Sequence, residues 1–66
     1  MGLTPQQRQA LEALRIAYLP LTAAEVGVNS NVLMRLFWRK YVTPASSKPY
    51  RWVITRDGLD ALTPDP

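Results

Sequence analysis

In the segment NSNVLMRLFWRKYV, residues 29–42, Asn31, Arg35 and Trp38 recur at spacings of four and three. Wound as a helix at about 100° per residue, they share one side, flanked by Met34 and Arg39, while Leu33, Leu36 and Phe37 gather on the other. Asn29 and Ser30 stand at the front of the same segment. Side-chain amides, a hydroxyl and a guanidinium fork supply hydrogen bonds in both directions, which is the chemistry of recognition, not of bond breaking. A second polar cluster follows at Ser46, Ser47, Lys48 and Arg51. With no cysteine and no histidine in the chain, thiolate and imidazole metal sites, cysteine nucleophiles and serine–histidine–aspartate triads are excluded. Glu12, Glu25, Asp57 and Asp60 suit helix caps and dipoles, and nothing sets two of them around a common substrate. The expectation is a protein that is not an enzyme and takes no cofactor, metal or small-molecule substrate.

A chain of 66 residues builds one domain around one small core, with no disulfide to staple it. Its apolar runs are short, and no basic stretch precedes an apolar block at the N-terminus, so neither a membrane span nor a secretory signal is expected and the default compartment is the cytoplasm. The formal charge of +3 leans toward an anionic partner.

The elements that must position these residues are marked by their caps. Thr4 and Gln7 form a capping box around Pro5, and Leu11, Leu14 and Tyr18, with Ala10 and Ala17, make one buried face, which predicts a helix over residues 5–18 that Pro20 ends. Thr22 and Glu25 form a second box before Gly27, so a helix of little more than a turn follows, starting there or at Pro20. Asn29 or Ser30 caps the next helix, which meets no breaker before Tyr41. Val42–Thr43–Pro44 and YRWVIT, joined by ASSKP, read as a hairpin in which Tyr50, Trp52 and Ile54 share the buried face. Thr55 then caps a last helix over 56–62, with Leu59 and Leu62 turned inward, and residues 63–66 form a tail.

The fold class expected is therefore α+β, three helices, a hairpin and a short fourth helix, and this order resembles the winged helix-turn-helix. Ala23 sits four residues before Gly27, Val26 and Val28 flank the glycine, and Leu33 and Leu36 follow at the spacing that seats one helix on another. WVITRDGLDAL resembles the end of the wing in MarR-type and related bacterial regulators, where an aromatic, an aliphatic and a threonine precede a helix with glycine near its start. The likeness covers the helix-turn-helix at 22–41, a wing at 42–55 and, with the first helix, nearly the whole chain. Its helix before the turn is shorter than in those families, and the long flanking helices of MarR-type dimers are absent from it.

The resemblance implies double-stranded DNA as the leading partner, with residues 30–40 in the major groove. Asn29, Ser30, Asn31, Arg35 and Arg39 would then meet base edges and phosphates, and Ser47, Lys48 and Arg51 of the wing would meet the backbone or the minor groove. Capping by Asn29 or Ser30 and phosphate contact are compatible. Trp38, with Met34, gives the same face more apolar surface than phosphate contact requires. It suits packing beneath the wing or an interface with a partner protein or a second copy.

Overall fold

The computed structural model describes residues 3–62. Its order is α1 (Pro5–Ile16), α2 (Ala23–Val26), α3 (Ser30–Trp38), β1 (Val42–Ser47), β2 (Tyr50–Ile54) and α4 (Arg56–Leu62). The class is α+β, four helices and a two-stranded antiparallel hairpin.

Each helix starts where a side chain can accept its first free amides. Gln7 N–H donates to Thr4 Oγ1 and Thr4 N–H to Gln7 Oε1, both at 3.1 Å, closing the first box. Thr22 and Glu25 close the second at 2.9 and 3.2 Å, and α2 begins after Thr22, not at Pro20. Gly27 ends α2 at φ 91°, a left-handed conformation natural to glycine. Asn29, not Ser30, caps α3, its Oδ1 accepting from Asn31 N–H at 2.9 Å.

Helix ends differ from the sequence expectation because distant segments set them. α1 stops at Ile16 and Ala17 is already extended, since the chain must turn to bring Leu21 against β2. There Leu21 N–H donates to the Trp52 carbonyl at 3.1 Å and Trp52 N–H to the Leu21 carbonyl at 2.7 Å. Tyr18 is thereby carried out of the helix and off its expected core face, and is 101% exposed. Ala17 is half-buried. α3 stops at Trp38, short of Tyr41, because Lys40 takes φ 66°. Lys40 N–H donates to the Phe37 carbonyl and Tyr41 N–H to that of Leu36, each at 2.9 Å. This is the pair of bonds that normally accompanies a glycine after a helix.

β1 and β2 pair from Val42 opposite Ile54 to Ser47 opposite Tyr50, with an irregularity between Pro44 and Ser46. A proline beside a bulge on an edge strand costs the ladder little. β2 is the inner strand, with β1 on one side and the Leu21 bridge on the other. The core is Ala10, Leu11, Leu14, Val26, Leu33, Leu36, Val42 and Trp52. Tyr50 shares Trp52's face but is exposed, because it lies at the hairpin tip. It stacks on Trp52 instead, ring centroids 5.9 Å apart. Phe37 is also partly exposed, its ring edge-on to Trp52 at 6.1 Å.

The last junction is tied by one threonine. Thr55 Oγ1 donates to the Lys40 carbonyl at 2.6 Å and accepts from Gly58 N–H at 3.1 Å, while Thr55 N–H donates to the Tyr41 carbonyl at 3.0 Å. The start of α4 is thus drawn against the corner after α3. Gly58 becomes its contact point, and the inward face comprises Gly58, Ala61 and Leu62. Leu59, expected inside, is rotated outward and exposed. Residues 63–66, expected as a tail, lie outside the described residues.

Candidate nucleic-acid interface

α3 presents the candidate residues because Leu33 and Leu36 anchor its other side, both fully buried. Asn29, Ser30, Asn31, Arg35 and Arg39 are all exposed. They do not form one cluster. Asn29, Asn31 and Arg35, with Val32, line a cleft whose other wall is Thr4, Gln6 and Gln7 from the start of α1. Ser30 begins α3 and Arg39 caps its far end, about 13 Å away along the axis.

The exposed face therefore has two flanks of different chemistry. Toward α1 it is polar: Asn31 and Arg35 look onto amides and a helix start. Toward the hairpin it is apolar: Met34 lies on the side of Phe37, which leads through Trp52 to Tyr50. Trp38 stands near the middle, 72% exposed, so it does not pack beneath the hairpin.

At the hairpin tip Ser47 and Lys48 are exposed, and Ser46 Oγ donates to the Pro49 carbonyl at 3.1 Å, closing the turn. Arg51 is exposed but engaged, its guanidinium donating to Glu25 Oε1 at 3.4 Å. Glu25 thus serves two elements, capping α2 and holding β2. Contacts from Thr22, its backbone N–H first and its side chain second, keep the Glu25 carboxyl below the usual carboxylate range, with Arg51 a smaller contributor.

From sequence alone Glu25 and Gln7 read only as capping residues. The Glu25–Arg51 pair spans 26 positions, and no local pattern signals it. The position of Gln7 beside α3 depends on how α1 and α3 pack. Among the described residues no helix is long and apolar enough to cross a membrane, and no group of three or more acidic, cysteine or histidine side chains could hold a metal ion. Comparison with protein-family models, with characterised proteins and with solved structures finds no match to this chain.

Proposed function

We propose that the chain is a small winged helix-turn-helix protein that binds double-stranded DNA without catalysing a reaction, as a regulator of transcription or an accessory to one. The observation that carries this reading is α3 itself. It is capped at Asn29, anchored by two buried leucines and lined outward by Asn31, Arg35 and Arg39, and the hairpin stands beside it. Asparagine suits the adenine edge and arginine O6 and N7 of guanine, so α3 enters the major groove by its N-terminus while the hairpin meets the backbone.

The Leu21 bridge supports the same reading, since it fixes the hairpin to the helices and gives the two contact surfaces one rigid frame. The Glu25–Arg51 pair is exposed on both sides. Solvent screens such an exposed pair, so a phosphate can replace Glu25 at small cost. A module of this size covers little DNA, and useful specificity calls for two copies on adjacent half-sites or a second protein.

Base reading and backbone contact separate by mutation. Arg35→Ala is expected to cost roughly 1–3 kcal/mol on the best site and to relax discrimination there. Lys48→Ala is expected to weaken selected and random duplexes alike and to lower the salt slope by about one. Anisotropy titrations of both variants at two salt concentrations make the comparison. Identical behaviour of the two, or no duplex binding by a folded wild type at low salt, would remove the reading.

A second reading rests on the apolar flank. Trp38 and Met34 are an unusual outlay of apolar surface for a face meant only for phosphates, and aromatic anchors beside methionine suit a docked protein or a second copy. In that reading the net positive charge steers the domain toward an acidic surface.

A further inference from the structure

Gln7 is the only buried polar side chain among the described residues, 7% exposed, and its position is set by the capping box. Because its Oε1 must accept from Thr4 N–H, the amide is oriented with its N–H2 group turned the other way. That group has no protein partner among the described residues. Nor is any buried side-chain nitrogen or oxygen there sealed off without a partner, so Gln7 Nε2 is reached from outside. Gln7 lines a cleft of about 270 Å³ with Thr4, Gln6, Asn29, Asn31, Val32 and Arg35.

Asn29 repeats the arrangement on the opposite wall. Its Oδ1 accepts from Asn31 N–H, which leaves its own N–H2 group as the available part of the amide. Two carboxamides lining one cleft are thus fixed by their oxygens, each with its N–H2 group left to donate. Arg35 adds a guanidinium. The N-terminal ends of α1 and α3, the positive ends of their dipoles, meet at the same place. No carboxylate lines the cleft, and neither helix has an acidic residue in its first turn. Donors, positive potential and the absence of any competing anion together describe a receptor for a tetrahedral oxyanion.

We infer that this cleft is a phosphodiester subsite, holding one backbone phosphate of bound duplex through Gln7 Nε2 and Asn29 Nδ2, while the Arg35 guanidinium at its edge adds positive potential and keeps its fork for the base. The inference rests on the DNA reading and deepens it. A phosphate held between α1 and α3 sits at the leading end of α3 and fixes how far that helix advances into the groove.

Two isosteric variants test it without dismantling the caps. Gln7→Glu and Asn29→Asp each keep the oxygen that accepts the backbone N–H and replace the N–H2 group with a second acceptor. Gln9→Glu makes the same charge change on α1 outside the cleft. By fluorescence anisotropy, Gln7→Glu and Asn29→Asp are expected to weaken binding to selected and random duplexes equally, by about tenfold or more, with unchanged melting temperatures. Gln9→Glu is expected to fall far short of that loss. If the first two lose no more affinity than Gln9→Glu, the subsite is overturned while the DNA reading stands. If the wild type binds no duplex, the DNA reading fails, and titration of labelled protein with inorganic phosphate decides the oxyanion chemistry. Amide shifts at residues 6–8 and 30–32 that vanish in Gln7→Glu support it, and their absence in the wild type overturns it.

Discussion

Gly58→Ala is expected to destabilise the domain, although alanine is the better helix former by about 1 kcal/mol. The reversal of sign follows from the junction. A Cβ at Gly58 would collide with the Tyr41 carbonyl oxygen and come within 2.7 Å of Ile54 Cγ1. That carbonyl cannot withdraw freely, because Thr55 N–H is bonded to it and Thr55 Oγ1 holds the neighbouring Lys40 carbonyl. Relief requires α4 to lift away from the corner after α3, at the expense of those bonds and of the packing of Ala61 and Leu62. Gly58→Val is expected to cost about 3 kcal/mol, at the upper end for overpacking. A domain of this size holds roughly 3–10 kcal/mol in all, and the melting temperature should fall by about 12–24 °C. Arg56→Ala, at an exposed neighbouring position, should stay within about 0.5 kcal/mol. A Gly58→Ala protein that melts higher than the wild type would show that the junction is not close-packed.

The two tryptophans are expected to behave in opposite ways. Trp52 is 3% exposed, stacks with Tyr50, meets the edge of Phe37 and anchors the Leu21 bridge through its backbone. Trp52→Ala removes the largest core side chain from a core with few members, and a loss of about 3–5 kcal/mol is enough to unfold the domain. Trp38→Ala, on the exposed face of α3, should leave the melting temperature nearly unchanged. The surviving fold makes it a clean probe of the apolar flank. Loss of association by about 2 kcal/mol or more assigns Trp38 to a docked protein or second copy, whereas loss of duplex affinity alongside Arg35→Ala assigns it to DNA. With Trp52 replaced by phenylalanine, Trp38 emission should be red-shifted and open to quenchers. A blue-shifted, protected emission would contradict the exposure on which both assignments depend.

The starts of α1 and α4 were legible because they are local, while those of α2 and α3 were legible to one of two positions each, Thr22 or Pro20 and Asn29 or Ser30. The Thr4–Gln7 and Thr22–Glu25 boxes, the Asn29 cap and the Thr55 cap each bond within three residues, and Gly27 marks its turn by type alone. The ends were not, because the Leu21–Trp52 bridge stops α1 and a lysine adopts the left-handed position after α3. Strand parity placed Trp52 inside, but parity says nothing of where the helical layer ends, and Tyr50 lies beyond it. In α4 the steric demand at Gly58 overrode the apolar spacing that pointed Leu59 inward. As for the candidate site, the outward face of α3 was readable from helical periodicity. Its division into a polar and an apolar flank was not, since that depends on which neighbours, α1 or the hairpin, border each side.

Whether the outward face of α3 meets duplex DNA is decided by nuclear magnetic resonance with isotopically labelled protein and unlabelled random duplex at low salt. Amide shifts are expected to concentrate at residues 29–39 and at the hairpin tip, 46–51, and to diminish as salt is raised. Spectra unchanged at every duplex concentration, from a protein that is demonstrably folded, would show that α3 does not bind duplex, as would shifts confined to the exposed Ile16, Tyr18 and Leu19 at and just beyond the end of α1.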